Sequence, residues 1–138
     1  MKKVCIKYRE VDFLFKFEYS LTFYTFPTFI FRSVFGKELR RMTCILRGSS
    51  CESCSLKYTC AYSLIFESPI EKDNDVLPGR THAGHPFVMY SPVKVNETTE
   101  QLTLKMVLFG KAIEYFPYIY YAFQRAGEDG LIKERFKF

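Results

Sequence analysis

Four cysteines form the group in this sequence whose residue type and spacing are most suited to chemistry. They follow the pattern Cys-x6-Cys-x2-Cys-x5-Cys at Cys44, Cys51, Cys54 and Cys60, while Cys5 stands apart. Two intervening residues let both thiolates of a Cys-x2-Cys pair face one ion, and the outer two cysteines can complete a tetrahedral sulfur set. The pattern predicts a structural zinc ion or an iron–sulfur cluster, with two disulfides or free thiols as alternatives. A site with four protein ligands has no open position, so catalysis is not predicted there.

Basic side chains form the second group. Residues 31–47 hold five basic side chains and one acidic one, a local charge of +4 within a chain of net charge +5. The alternating segment 131–138 adds a second basic stripe. Such clustering predicts a polyanionic partner, most simply a nucleic-acid backbone, while a merely solvated helix face is the alternative. The predicted contacts are Arg32, Lys37, Arg40, Arg41, Arg47, Lys133, Arg135 and Lys137.

The histidines and one tyrosine are further candidates. His82 and His85 are the only histidines, and His82 in a loop could act as an acid or base near neutral pH. His85 precedes a proline at a strand start and is interpreted as structural. Tyr24 could stack on a base. Glycine-rich nucleotide loops, a nucleophile elbow and HExxH are absent from the sequence, so those chemistries have no support.

The first elements must position these groups. Strict alternation from Phe13 to Tyr24 predicts a strand, with a bulge or break at residues 10–12 and an end at Pro27. A helix capped by Thr28 is then predicted to run to about Leu46, with its apolar residues on one arc. That arc holds Phe31, Phe35, Leu39, Met42 and Leu46.

The remaining elements complete an α+β pattern. A cysteine-rich loop at 44–60 is followed by a short strand or the tail of a hairpin at 61–67 and by an irregular loop at 68–84. Strands are predicted at 85–91, 100–109 and 131–138, with a helix from Ala112 to Ala126 that Pro117 either starts anew or kinks. This order, β-α-β-β-α-β, predicts a single ferredoxin-like domain over residues 1–138, with a cysteine-rich insertion after the first helix.

Composition sets the class of protein. The 138 residues are 48% hydrophobic and 25% charged, which excludes wholesale disorder. No uninterrupted run of eighteen apolar residues or signal-peptide core is present, so we expect a cytoplasmic protein without a membrane partner. Five cysteines, an odd number, are few for a secreted disulfide scaffold.

The segments that carry these features resemble a known family. Phe29–Cys44, Cys51–Glu67 and His85–Val88 are similar, in the same order, to CRISPR-associated endoribonucleases of the RAMP superfamily. The runs LFGKAI and YFPYI and the segment Arg125–Leu131 extend the resemblance over nearly the whole chain. The similarity is to the N-terminal domain of the enzymes that process CRISPR precursor RNA.

The resemblance implies a ferredoxin-like domain that binds CRISPR repeat RNA, usually followed by a second domain of the same kind. In that family a ribose 2′-hydroxyl attacks the adjacent phosphate without a metal cofactor, leaving a cyclic phosphate and a 5′-hydroxyl. The nearest titratable residues for base and acid are Tyr24 and Lys37, with Arg40 and Arg41 as charge stabilisers, and His82 would have to come from a distant loop. The expected partners are the RNA, a second RAMP domain and subunits of a CRISPR complex. A non-catalytic, metal-stabilised adaptor in such a complex is the alternative.

Overall fold

The computed structural model describes residues 3–48, 50–73 and 75–130 of the chain. They form a mixed α+β structure with one three-stranded antiparallel sheet, which confirms the predicted class. A single π-helical turn and a 3-10 turn supplement the strands and helices. In chain order the elements are β1 (Tyr8–Thr22), α1 (Pro27–Thr43), the π-helical turn (Ser63–Glu67), β2 (Phe87–Tyr90), β3 (Thr98–Phe109), the 3-10 turn (Gly110–Tyr115) and α2 (Phe116–Asp129).

The sheet has the strand order β1-β3-β2, so β3 lies between the other two strands. Phe13 of β1 lies opposite Leu104, and Phe87 of β2 lies opposite Leu108. Because side chains alternate along a strand, this register places the buried apolar residues of all three strands on one face. The register of the sheet therefore matches the alternation that predicted its strands.

Both helices contribute to the core on that face. Phe35 of α1 is fully buried, and its ring stacks on Phe123 of α2 at 5.2 Å between centroids. Glu38 and Arg41 of α1 pair with Arg125 and Asp129 of α2, respectively, so ion pairs join the two helices. The core thus lies between one sheet face and the two helices.

The bounds of α1 differ from the prediction at both ends. The helix begins at Pro27, not after a Thr28 cap, because proline fits the first helical position, where no N–H partner is needed. It ends at Thr43, since Cys44 has extended backbone angles. Leu46 consequently lies outside the helix and is 42% exposed, so the prediction that it belongs to the buried arc is wrong.

Two further predictions of local structure are wrong. Residues 10–12 form no bulge, because Glu10 and Asp12 pair in register with β3; the register shift falls between Lys16 and Leu21. The predicted strand at 61–67 is instead the π-helical turn. There the Ser68 N–H donates to the Ser63 carbonyl over 2.7 Å, so the segment bonds to itself and to no strand.

The last described elements follow the sequence closely. Gly110, at a positive φ of 55°, turns the chain out of β3, and Pro117 lies in the first turn of α2 and starts that helix. The predicted strand at 131–138, with Lys133, Arg135 and Lys137, lies outside the described residues. Within the described ranges, no helix combines the length and apolar character that crossing a membrane requires.

Candidate functional site

One stripe of α1 packs against the π-helical turn and the residue before it. Arg32, Gly36 and Arg40 are spaced four residues apart and therefore share this stripe. The Arg32 guanidinium lies 4.9 Å from the Phe87 ring centroid and 5.6 Å from that of Phe66. The Arg40 guanidinium lies 5.4 Å from the ring centroid of Tyr62. Both arginines of this stripe, which the sequence analysis assigned to RNA, thus lie over aromatic rings.

Gly36 allows the close approach of this stripe to the turn. A Cβ atom at this position would lie 3.2 Å from the Phe66 ring, which also contacts Tyr62, Phe35 and Phe87. A neighbour at that distance must move, and the surrounding rings restrict its movement.

We expect Gly36→Ala to give none of the stabilisation that alanine usually brings to a helix. Gly127 in α2 is the matched control, since a Cβ there meets no atom within 4 Å. Gly127→Ala should raise the free energy of unfolding by about 0.5–1 kcal/mol. Urea denaturation of both variants checks the difference, and an equal gain at the two positions would contradict the packing at Gly36.

The four clustered cysteines line one small cavity next to this stripe. Cys44 follows the last residue of α1, Cys51 and Cys54 lie in a tight turn, and Cys60 precedes the π-helical turn. The cavity has a volume of about 30 Å³, and Thr43 and Tyr62 also line it. The structure therefore brings together the four cysteines that the spacing singled out.

Local hydrogen bonds hold the cysteine segment in this position. The Cys54 N–H donates to the Cys51 carbonyl over 3.3 Å, and the Cys60 N–H donates to Leu56 over 2.8 Å. The Cys44 N–H donates to the carbonyl of Arg40 over 2.8 Å, continuing the bonding of α1. These backbone bonds thus hold the cysteines in two turns and at two helix ends, which restricts the positions of their thiols.

Arg40 lies beside this cavity, and Lys57 is among the residues that line it. The pKa of its guanidinium is raised, chiefly by Cys51, with smaller contributions from Tyr62 and Cys44. Burial raises the pKa of the Cys51 thiol, and Arg40 partly offsets that rise. Burial also raises the pKa of Tyr62, which Glu67 increases further and Arg40 opposes. These shared effects place Arg40 among the thiols and the phenol.

All five cysteines are free thiols in the structure, so none of them forms a disulfide. Cys5 is exposed, whereas the four cavity cysteines are half-buried. Across residues 3–48, 50–73 and 75–130, no group of three or more His, Cys, Asp or Glu side chains is arranged so that it could hold a metal ion. The cysteines share a cavity, but their thiols are not gathered as a ligand set.

The other basic residues of α1 have different surroundings. Arg41 donates to Glu38 and to Asp129, both over 3.0 Å, and so joins the two helices. Lys37 is exposed and forms no hydrogen bond or ion pair with another described residue. Arg47 is exposed beyond the helix end. Lys37 and Arg47 are therefore better placed than Arg41 to bind an external anion.

The candidates for acid and base lie on three separate segments. Tyr24 is in the exposed connection between β1 and α1, and Lys37 is on α1. His82 is exposed in the loop before β2, with its Nδ1 2.9 Å from the Thr81 hydroxyl. His85 instead donates from Nδ1 to the Ile65 carbonyl over 3.2 Å, which agrees with a structural role.

The buried carboxylate of Glu38 is a feature that the sequence analysis missed. Its side chain is only 4% exposed, and Arg125 Nε lies 3.6 Å from its Oε2. Glu38 was counted only as the single acid within a basic helix. Its position three residues before Arg41 was the available signal, because that spacing permits an ion pair.

Comparison with known proteins shows the family of this chain. The profile of a family described as an N-terminal domain, AF_1859_N, matches residues 6–138. The chain belongs to the AF_1859_N family. An Archaeoglobus fulgidus protein, named only as an uncharacterized protein, is 28% identical to the chain over 113 residues. That alignment covers 78% of the chain and 37% of the relative, so this AF_1859_N member spans little more than a third of the relative's length. No solved structure matches the chain.

Proposed function

We propose that this chain is the RNA-binding N-terminal domain of a CRISPR precursor-RNA-processing endoribonuclease that works in the cytoplasm. The complete enzyme cleaves repeat RNA by metal-independent attack of a 2′-hydroxyl on the adjacent phosphate. The observation that carries the proposal is the order of the described elements, β1-α1-β2-β3-α2, combined with the strand order β1-β3-β2.

This arrangement supports a ferredoxin-like fold. β1 and β2 are each antiparallel to β3 and are therefore parallel to one another, with α1 in the connection between them. That is the split βαβ arrangement, with β3 between the two parallel strands. The proposed fold keeps the strand that the sequence predicts at residues 131–138, outside the described residues, and treats residues 44–60 as an insertion after α1.

The outer face of the sheet offers a surface for RNA bases. The register places Tyr90 opposite Lys105 and Tyr8 opposite Phe109, on the face away from the core. Tyr8 and Tyr90 are both more than half exposed. Sheet domains that bind single-stranded RNA stack its bases on such aromatic rings. Since Glu10 and Asp12 share this face, we assign the phosphate contacts mainly to Lys37 and Arg47, on the helix side of the sheet, and the bound strand would pass around the sheet edge to reach both surfaces.

Cleavage is proposed to need a second domain. Tyr24, Lys37 and His82 come from three segments, whereas acid and base must both reach one phosphate. The family is described as an N-terminal domain, and the chain covers 37% of its Archaeoglobus relative. Both facts favour a division of the catalytic groups between this domain and a following one.

A non-catalytic adaptor in a CRISPR complex is the second candidate. It is favoured by the internal contacts of three basic residues that the sequence analysis assigned to RNA. Arg32 lies over Phe87, Arg40 over Tyr62, and Arg41 bridges Glu38 and Asp129. Such cations stabilise the domain whether or not RNA is bound.

Lys37→Ala should reduce RNA affinity and lower the steepness of its salt dependence by about 0.7 in the log–log slope, as expected for one phosphate contact on a single strand. Lys94→Ala is the control, since that lysine is exposed in the connection between β2 and β3. Fluorescence anisotropy with labelled repeat RNA at several salt concentrations measures both slopes. Equal slopes for the two variants would remove Lys37 from the interface.

A cleavage assay separates the two candidates. The chain is incubated with CRISPR repeat RNA and a chelator, alone and with the part of the longer relative that the alignment does not cover. A discrete product with a cyclic phosphate, lost in His82→Ala or Tyr24→Phe, supports the processing enzyme. Binding without a product in either mixture supports the adaptor, and the absence of salt-sensitive binding contradicts both.

A further inference from the structure

We propose that the cavity at the C-terminal end of α1 is a closed structural zinc site, in which the thiolates of Cys44, Cys51, Cys54 and Cys60 bind one ion. This inference does not depend on the proposed RNA-processing function.

The first argument is the convergence of the four cysteines from separate backbone segments. Cys44 leaves α1, Cys51 and Cys54 occupy one turn, and Cys60 enters the π-helical turn, yet all four line the same cavity. Their spacing alone does not require this, because a loop of this length could point its cysteines in different directions. The half-buried position shared by all four also distinguishes them from the exposed Cys5.

The size of the cavity favours a single ion. The cavity that the four cysteines line is small, with a volume of about 30 Å³. Of the two groups that four thiolates can hold, a single zinc ion is smaller than a cluster of several iron and sulfur atoms. The sulfur-only donor set also suits zinc in tetrahedral coordination.

Closing the site requires the thiols to move, because they are not gathered as a ligand set in the structure. The four cysteines line the cavity, and rotation about χ1 moves each thiol between its staggered positions. The adjacent hydrogen bonds, from Cys54 N–H to Cys51 and from Cys60 N–H to Leu56, are between backbone atoms, whereas the contact of the Cys60 thiol with the Thr43 hydroxyl would be given up. Binding releases the thiol protons as thiolates form on the metal.

Arg40 supplies the charge that this donor set requires. Four thiolates around a divalent ion carry a net charge of −2, and the Arg40 guanidinium lies 5.4 Å from the ring of Tyr62, which lines the cavity beside the cysteines. Groups that contact the ligands from outside tune metal affinity by about 10–100-fold. Arg40 is therefore a positioning residue for the zinc site, and this role explains why a cation predicted to bind RNA faces the cysteines.

The test is metal analysis of the full 138-residue chain. The protein is purified without added metal under anaerobic conditions, and its zinc, iron and sulfide contents are measured. We expect about one zinc per chain, four thiols protected from a thiol reagent and one reactive thiol, Cys5. Cobalt exchanged into the unmodified chain should give the visible bands of tetrahedral thiolate coordination, a readout that does not require any variant to fold.

Variants locate the ligands and test Arg40. Cys54→Ser should lose zinc and lower the melting temperature, while the matched control Cys5→Ser retains both. Arg40→Ala should weaken zinc binding by about 10–100-fold, and Arg40→Lys should restore most of it. Iron with sulfide, a chain with two disulfides, or a metal-free chain whose cobalt spectrum lacks thiolate bands would each overturn the proposal.

Discussion

Replacing Phe35 with alanine should lower the free energy of unfolding by about 3–5 kcal/mol, the range found when a fully buried phenylalanine is truncated. Phe35 has no exposed surface, and its ring contacts Phe66, Phe87 and Phe123. It therefore joins β2, α2 and the π-helical turn to α1. Few small domains have more than two or three times this amount of stability, so the effect should be plain in urea denaturation.

Phe29→Ala is the matched control on the same helix. Phe29 is 62% exposed, and its ring contact is with the equally exposed Phe26. Its truncation should change the free energy of unfolding by less than about 0.5 kcal/mol. Similar losses at both positions would contradict the described orientation of α1 against the sheet.

Removing both cations beside Glu38 should cause the second large effect. Its carboxylate is almost fully buried between α1 and α2, where Arg41 donates to Oε1 and Arg125 lies near Oε2. With Arg41→Ala and Arg125→Ala together, the carboxylate would remain buried without a cation, which is much more costly than losing the whole group. We expect a loss approaching that of Phe35→Ala, measured by thermal and urea denaturation.

Adding Glu38→Leu to that double variant should restore much of its stability. Leucine has no charge to desolvate and can pack against the neighbouring helix. The same substitution in the otherwise unmodified chain should bring little gain, because the two arginines then lose their acidic partner. If Glu38→Leu fails to rescue the double variant, the loss does not come from the buried carboxylate.

The sheet and most of the helical core could be predicted from the sequence because hydrophobic periodicity reports burial directly. Phe13, Phe15, Leu102 and Leu104 alternate in sequence and face the core in the structure. The boundaries were less accurate, since they depend on local capping. Pro27 can either end a strand or begin a helix, and only the observed backbone resolves which it does.

The segment at residues 61–67 was mistaken for a strand for a physical reason. The segment is too short for its apolar residues to distinguish a strand period from a helical one. It is buried because it packs against Gly36 and Arg32 of α1. Tertiary contacts of this kind leave no local signal. The glycine within the helix was the available clue, because a glycine there often permits close packing.

The sequence predicted which residues belong to the candidate sites, but it did not predict which residues surround them. The spacing of the four cysteines indicated that they act together, and they line one cavity. The sequence predicted one basic surface on α1, yet Arg32, Arg40 and Arg41 each have a partner within the domain, while Lys37 has none among the described residues. Charge counts cannot separate these cases, because the partners come from distant parts of the chain.

The most direct test of the proposed function is equilibrium binding of a CRISPR repeat RNA to the unmodified chain over a series of salt concentrations. A scrambled RNA of the same length and composition serves as the control. We expect tighter binding of the repeat RNA, with a log–log salt slope of about −0.7 for each phosphate contacted. Failure to bind RNA at low salt, or binding that does not change with salt, would contradict the assignment of this domain to RNA recognition.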